Sequence, residues 1–327
     1  HCQQRGISFA VVIDKRYVPL LQHAFAGIEL IAYPRSAIAA ARSWKKAAAY
    51  LACLRRIRAL RADIAFNIEE DSVSHRLTQL SGARFKLGCN AVRHRYGYDH
   101  VVPVEINQRS AGEAHRWYGF YELFHYLGLE HSKPSYVKLA PAPLSAERQQ
   151  ALQARGLDAT RSLAVLHSGA TKDYKLWPAA HFASLIKLLD QEGHQVALIG
   201  AGKDEANIKA ILALLEPPLA ERVVNLLNAL ALDELSSLLA RASLAVGNDS
   251  GPAHLAAALG IPGVVVFGPT RADIWSPLSE RVTVLQDRSV CHAQCTRHHC
   301  LQAYFCLQNI QPELVMNRLP KNTAATC

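Results

Sequence analysis

No apolar run in the sequence approaches the roughly 20 residues that a membrane-spanning helix needs. The first residues also lack the apolar segment of a secretory signal peptide. We therefore expect a protein located in the cytoplasm. Half of the residues are hydrophobic and 19% are charged, a balance that excludes a disordered or fibrous chain and indicates a globular one.

Two common signatures of nucleotide binding are also missing. The sequence has no G-x-x-x-x-G-K-[ST] motif, which excludes a P-loop. Gly200 and Gly202 could begin the dinucleotide motif G-x-G-x-x-G, but its third glycine is replaced by Glu205. Chemistry on a nicotinamide cofactor is therefore disfavoured.

Acidic residues are scarce in the first part of the chain only. Residues 1–140 hold 20 Lys and Arg against 11 Asp and Glu, whereas residues 141–327 hold 16 of each. A basic half beside a neutral half indicates a domain that meets an acidic partner. Nucleic acid, anionic lipid headgroups and a phosphorylated glycolipid all fit, and so does a basic surface that serves solubility alone.

The length of 327 residues allows two domains with complete cores. The proline-bearing stretch 139–145 is typical of a linker and coincides with the change in charge. We therefore predict an N-terminal domain of residues 1–140 and a C-terminal domain of residues 145–327.

Short apolar runs alternate with amphipathic segments in the C-terminal domain. The runs predicted to be strands are residues 162–167, 195–200, 223–227, 243–246 and 263–267. The segments predicted to be helices are residues 145–155, 178–193, 232–242 and 252–259. Strands that are apolar throughout indicate a parallel sheet covered on both faces. The N-terminal domain shows the same alternation less regularly, with strands predicted at 8–14, 28–33 and 62–68 and a helix within 39–61. We therefore expect two Rossmann-like, doubly wound α/β domains that face one another across a cleft.

Three polar loops of the C-terminal domain follow predicted strands, where ligands of open parallel sheets bind. They are residues 167–178, 200–205 and 248–251. In the last loop, Gly251 permits close approach of a ligand, and free amides at the start of the next helix favour a phosphate. The carboxylate of Asp249 beside such a site suits hydroxyl groups next to a diphosphate. A nucleotide sugar carries both.

Lys175 could neutralise such a diphosphate without a metal ion. A purely structural interpretation stays open for each residue taken singly. Asp249 and Ser250 are typical helix caps, Lys175 could be a solvated loop lysine, and His254 in the first helical turn could be structural.

Three motifs together resemble one known family. They are D-S-G-P-x-H-L-A-A-A-L-G-x-P followed by F-G-P-T, H-S-G-A-T before K-x-W-P, and a cysteine-bearing segment leading into I-x-P-E-x-V. Over nearly its whole length the chain is similar to the lipopolysaccharide heptosyltransferases of glycosyltransferase family 9. The resemblance implies the GT-B fold, with an acceptor-binding N-terminal domain and a donor-binding C-terminal domain.

The resemblance also implies an activity. It implies an inverting transfer of heptose from ADP-heptose, without a catalytic cofactor or metal, to the inner core of lipopolysaccharide. The basic domain would then meet this acidic acceptor at the inner membrane surface rather than nucleic acid, which implies a cytoplasmic enzyme peripheral to that membrane. A GT-B-like sugar-nucleotide epimerase and a non-catalytic paralogue that binds nucleotide sugar are the alternatives.

The resemblance assigns roles to six residues of the donor side. Thr171 and Lys175 would contact the donor diphosphate and its surroundings, and Asp249 would bind the heptose hydroxyls. Ser250, Gly251 and His254 would line the same pocket.

One part of the family pattern has no counterpart in the sequence. Family members begin with a strand and a short S-x-L-G-D-like loop whose Asp is the expected catalytic base. We predict that the natural protein carries about 20 to 30 further residues before His1, the length of one strand, loop and helix. Within the chain, the clustered carboxylates Glu69, Glu70 and Asp71 are either solvated loop charges or a substitute base.

Four cysteines fall within the segment 291–306. Cys291, Cys295, Cys300 and Cys306 have the spacing C-x3-C-x4-C-x5-C. In a cytosolic protein, four close cysteines favour a structural metal, zinc or iron, over disulfides. The spacing is not the paired C-x2-C of common zinc sites, and reduced thiols without a ligand are the alternative.

Overall fold

The computed structural model describes residues 6–25, 27–35, 43–68, 71–89, 96–102, 115, 121, 124–129, 137–291, 300 and 303–320. The chain divides into two compact units, His1–Lys133 and Pro134–Cys327. None of the helices in these described ranges has the length and apolar character required to cross a bilayer.

The C-terminal unit is built on a six-stranded sheet in which every neighbouring pair is parallel. Its strands are β6 (Leu163–His167), β7 (Gln195–Gly200), β8 (Val224–Leu227), β9 (Leu244–Asn248), β10 (Gly263–Phe267) and β11 (Val282–Gln286). They are arranged in the order β11-β10-β9-β6-β7-β8. Numbered within the unit, this is the 3-2-1-4-5-6 order of the Rossmann fold. The predicted doubly wound parallel sheet is confirmed for this unit.

Helices alternate with these strands along the chain. They are α4 (Ala146–Ala154), α5 (Ala179–Gln191), α6 (Glu205–Ala213), α7 (Pro217–Arg222), α8 (Leu232–Ala240), α9 (Gly251–Ala258), α10 (Ala272–Trp275), α11 (Phe305–Gln308) and α12 (Pro312–Met316). Short 3-10 helices precede α5 and α6, at Asp173–Lys175 and Gly202–Asp204.

The core of this unit lies between the sheet and helix α5. One face of α5 is buried against the sheet, with Phe182, Leu185 and Ile186 without solvent exposure. Pro178 stands one position earlier than expected, as the N-cap rather than the first helical residue. Beyond the helix, Gly193 has φ +81°, a left-handed conformation that glycine adopts without strain.

The described residues of the N-terminal unit form two smaller parallel sheets. One pairs β1 (Ala10–Asp14) with β2 (Glu29–Tyr33), and the other has the order β3 (Ile64–Phe66), β4 (Phe85–Cys89), β5 (His100–Val102). The helices are α1 (Val18–Ala24), α2 (Ser43–Ala59) and α3 (Ser72–Gln79). The sequence patterns missed β4, β5 and β11, since β4 contains a lysine and a glycine and β5 is only three residues long.

An ion pair ties the first helix of the C-terminal unit to α8. Arg148 donates from Nε to Glu234 Oε1 at 2.5 Å and from Nη2 to Oε2 at 3.0 Å. The Arg148 guanidinium, assisted by the Ala231 N–H, holds the pKa of Glu234 below its ordinary value of 4.5, although burial opposes the shift.

We therefore expect the stabilisation by Glu234 to depend on pH. A carboxyl with a lowered folded-state pKa stabilises the protein fully above pH 4.5, and this stabilisation is lost as the pH falls through the folded-state pKa. Glu234→Gln should lower the free energy of unfolding near neutral pH, and its difference from the wild type should shrink in acid. Denaturant unfolding between about pH 7 and pH 3 measures this. A constant difference across that range, or an equal effect of Glu221→Gln on the exposed surface of α7, would contradict it.

Candidate functional site

The candidate site lies at the switch point of the six-stranded sheet. Strands β6 and β9 are neighbours in the sheet, but the strand that follows β6 lies on one side of this pair and the strand that follows β9 lies on the other. Open α/β sheets bind ligands at such a point. β6 ends at His167 and β9 ends at Asn248. The first and third of the predicted loops therefore meet there.

Asn248 joins the two loops. Its side chain has no solvent exposure. Its Oδ1 accepts a hydrogen bond from the Trp177 N–H at 3.0 Å, and its Nδ2 donates to the carbonyl oxygens of Ser168 at 2.8 Å and Gly169 at 3.3 Å. Trp177 is itself fully buried and donates from Nε1 to the Ile310 carbonyl. One amide side chain thus holds both ends of the loop that carries Thr171 and Lys175.

Lys175 and Asp249 form an ion pair. Lys175 Nζ lies 2.7 Å from Asp249 Oδ2, and the side chains are 18% and 6% exposed. Lys175 is therefore not a solvated loop lysine. The pair places a cation and a carboxylate side by side at the switch point, an arrangement that suits a charged ligand with hydroxyl groups.

Helix α9 begins beside this pair with its N-terminus accessible. Ser250 is the N-cap, yet its side chain makes no capping hydrogen bond. The Ser250 hydroxyl instead lies 2.9 Å from His167 Nδ1 and 3.0 Å from the Asn248 carbonyl. A Cβ placed on Gly251 would meet no atom within 4 Å. The predicted open helix start is thus present, with His254 exposed on its first turn.

His167 and Asp204 are site residues that the sequence patterns did not single out. His167 Nε2 lies 3.8 Å from Asp204 Oδ2, and Asp204 accepts a hydrogen bond from the Ala201 N–H at 2.9 Å. Burial raises the pKa of Asp204, but the His167 ring and the Ala201 N–H more than offset this, so the pKa lies below 3.8. Both residues lie in loops predicted to bind a ligand, and only the tertiary contact between those loops reveals them.

Not all of the predicted site residues lie beside the Lys175–Asp249 pair. Thr171 is exposed in the loop before Lys175. In the N-terminal unit, Asp71 caps α3 by accepting from the N–H groups of Val73 and Ser74 at 2.8 and 2.9 Å. This contact gives Asp71 a structural role, while Glu69 and Glu70 lie outside the described residues.

The cysteine segment is described only in part. Cys291 is exposed, Cys300 is half-buried and Cys306 is buried, while Cys295 lies outside the described residues. Burial and the neighbouring thiols of Cys291 and Cys300 raise the pKa of Cys306 to about 11. Among the residues that the structure describes, no group of three or more His, Cys, Asp or Glu side chains is placed to hold a metal ion.

Relatives among characterised proteins are heptosyltransferases. The chain is 38% identical over 112 residues to lipooligosaccharide heptosyltransferase 2 of Haemophilus influenzae, and 40% identical over 112 residues to lipopolysaccharide heptosyltransferase 2 of Escherichia coli. Each match covers 34% of this chain and 32% of the relative, about a third of the relative's length. A longer match, 24% identical over 248 residues, covers 74% of this chain and 70% of lipopolysaccharide heptosyltransferase 3 of E. coli.

Solved structures share the fold over almost the whole chain. ADP-heptose LPS heptosyltransferase II of E. coli superposes with a TM-score of 0.72 at 23% identity, covering 97% of this chain and 90% of that one. A family 9 glycosyltransferase from Veillonella parvula has a TM-score of 0.76 at 18% identity, covering 95% and 87%. These likenesses confirm the predicted GT-B fold class.

A family model also matches most of the chain. The model described as glycosyltransferase family 9 (heptosyltransferase) matches residues 50–304, which is 255 of the 327 residues. The match includes every predicted donor-side residue and both loops of the switch point. The chain belongs to glycosyltransferase family 9, the heptosyltransferases.

Proposed function

We propose that the protein is an inverting glycosyltransferase that moves heptose from ADP-heptose to the acidic inner core of lipopolysaccharide. The observation that carries this proposal is the Lys175–Asp249 pair at the open start of α9. The lysine and the helix N-terminus both favour a diphosphate. The carboxylate beside them accepts hydrogen bonds from the hydroxyls of the attached sugar.

The proposed chemistry follows from this placement. The acceptor hydroxyl gives up its proton to a general base and attacks the anomeric carbon. The bond from that carbon to the diphosphate oxygen breaks, and ADP departs with the bonding electron pair. Negative charge grows on the diphosphate as it leaves, so Lys175 and the α9 N–H groups stabilise the transition state more than the ground state. Lys175 supplies this charge without a catalytic metal.

Two solved structures of one relative support the choice of donor. A solved E. coli heptosyltransferase, WaaC, contains ADP, and another structure of it contains ADP-2-deoxy-2-fluoro heptose. We assign the adenosine diphosphate to Thr171, Lys175, Ser250 and Gly251, and the heptose to Asp249, with His254 beside the pocket.

The acceptor side of the proposal rests on charge. The excess of Lys and Arg in residues 1–140 suits an acceptor rich in carboxylates and phosphates. Such an acceptor is membrane-bound, so we place the protein in the cytoplasm, in peripheral contact with the inner membrane.

Product analysis with ADP-heptose and a core acceptor tests the proposal. We expect a heptosylated acceptor and one ADP released for each transfer. An isomerised sugar nucleotide formed without acceptor would instead indicate an epimerase. Nucleotide-sugar binding without any product would indicate a non-catalytic paralogue.

We also propose that Cys291, Cys295, Cys300 and Cys306 bind one structural metal ion, zinc or iron. This proposal rests on the cysteine spacing in the sequence. Elemental analysis of protein purified without chelator should find close to one metal ion per chain, and a variant with Cys295→Ser and Cys300→Ser should lose it. Metal-free protein with all four thiols titratable would overturn the proposal.

A further inference from the structure

Three consecutive carbonyl groups after strand β6 are held by side chains. The Ser168 carbonyl accepts from Asn207 Nδ2 and Asn248 Nδ2, each at 2.8 Å. The Gly169 carbonyl accepts from Asn248 at 3.3 Å, and the Ala170 carbonyl accepts from Lys203 Nζ at 2.9 Å. Asn207 lies on α6 and Lys203 on the 3-10 helix before it. The loop is thus bound from two directions, by β9 and by the start of α6.

The contact between this loop and the start of α6 is close. A Cβ placed on Gly169 would lie 2.2 Å from Asp204 Oδ1, so only glycine fits there. Asp204 is held in turn by the Ala201 N–H. The loop therefore packs directly against a constrained turn, and a change at Lys203 or Asn207 alters the surface that supports it.

Holding these carbonyls also orients the amides that follow them. In a trans peptide group the N–H points opposite to the C=O. The held carbonyls of residues 168–170 therefore direct the N–H groups of residues 169–171 away from Asn207, Asn248 and Lys203. Within the described part of the chain, these three N–H groups have no hydrogen-bond acceptor. Consecutive free N–H groups of this kind suit an anion.

We propose that Lys203 and Asn207 are positioning residues for the donor diphosphate, acting through the carbonyls of residues 168–170. They fix the loop so that its N–H groups and Lys175 meet the anion in one arrangement. This inference rests on the proposed function, since it takes the diphosphate of the donor as the ligand. It gives Lys203 a role other than that of a solvated surface lysine.

Two substitutions remove the contacts with little change of shape elsewhere. Asn207→Asp keeps the size of the side chain but replaces the N–H donor with an oxygen that faces the Ser168 carbonyl. Lys203→Ala removes the donor to Ala170 at an exposed position, where folding is not at risk. Lys209→Ala is the matched control, because Lys209 lies on α6 and pairs only with the exposed Glu205 among the contacts described for it.

Two measurements on the full chain test the proposal. Hydrogen–deuterium exchange without ligand should be at least about 10-fold faster at the N–H groups of Lys175 and Trp177 in Asn207→Asp and Lys203→Ala, with no change in Lys209→Ala. These two N–H groups are hydrogen-bonded within the same loop, to the Lys172 carbonyl and to Asn248, so they report its opening. Calorimetry should find the Kd for ADP raised about 3- to 30-fold in the first two variants, the range for one lost hydrogen bond. Lowering the pH should restore part of the affinity of Asn207→Asp, since a protonated carboxyl donates again, but not that of Asn207→Ala.

The outcomes separate this inference from the proposed function. Unchanged exchange in both variants overturns the positioning role, whether or not ADP binds. Faster exchange with unchanged ADP affinity also overturns it, because the loop would then be irrelevant to the anion. A wild type that does not bind ADP overturns the proposed donor site itself, while the exchange data still show whether the two residues hold the loop.

Discussion

Replacing Asp249 with alanine should lower kcat/KM for heptosyl transfer by about 100-fold and should not weaken the binding of ADP. Hydrogen bonds to a charged group contribute about 1.5 to 3 kcal/mol each, and a carboxylate that binds sugar hydroxyls contributes to the transition state at least this much. ADP has no heptose, so it loses none of these contacts. We therefore expect the carboxylate to carry the discrimination between nucleotide and nucleotide sugar.

Replacing Lys175, the ion-pair partner of Asp249, should instead change the affinity for ADP. Lys175→Ala should weaken ADP binding, because it removes the cation and leaves the 6%-exposed Asp249 carboxylate unpaired beside the diphosphate. Calorimetry with ADP on the wild type and both variants measures the difference, and unfolding curves check that each variant is folded. Equal ADP affinity for all three proteins would remove Lys175 from the site.

Replacing Asn248 with alanine should lower the free energy of unfolding by about 2 to 4 kcal/mol and weaken donor binding as well. The change leaves the buried N–H of Trp177 and the buried carbonyl of Gly169 without their partner. An unsatisfied buried backbone group costs about 1 to 3 kcal/mol, and Asn248 satisfies more than one. The loop that carries Lys175 would lose the contact that joins it to β9.

Two further variants make this prediction specific. Asn248→Asp keeps an acceptor for the Trp177 N–H but places a buried carboxylate against the carbonyl oxygens of Ser168 and Gly169, so near neutral pH it should be at least as destabilised as the alanine variant. Asn225→Ala changes an exposed asparagine of β8 whose side chain accepts one local N–H, and it should cost less than about 1 kcal/mol. Denaturant unfolding compares all four proteins. An alanine variant as stable as Asn225→Ala would show that the Asn248 contacts are not needed.

The sequence by itself determined the alternation of strands and helices in the C-terminal unit. Strands buried on both faces are apolar throughout, so their positions follow from composition alone, and β7 and β10 lie where the apolar runs predict. The motif around Asp249 likewise indicated a ligand loop, because a carboxylate before a glycine and a helix-starting proline is informative within a few residues. Strands of mixed composition, such as β4, carry no such local signal and were missed.

Only the tertiary structure decided which side chains meet. Lys175 and Asp249 are 74 positions apart, and their 2.7 Å ion pair follows from the order in which β6 and β9 join the sheet. The same order brings His167 to Ser250, and the loop after β7 brings Lys203 and Asn207 to the carbonyls after β6. Local patterns report how each segment folds, whereas contacts between distant loops depend on strand order, which periodicity does not encode.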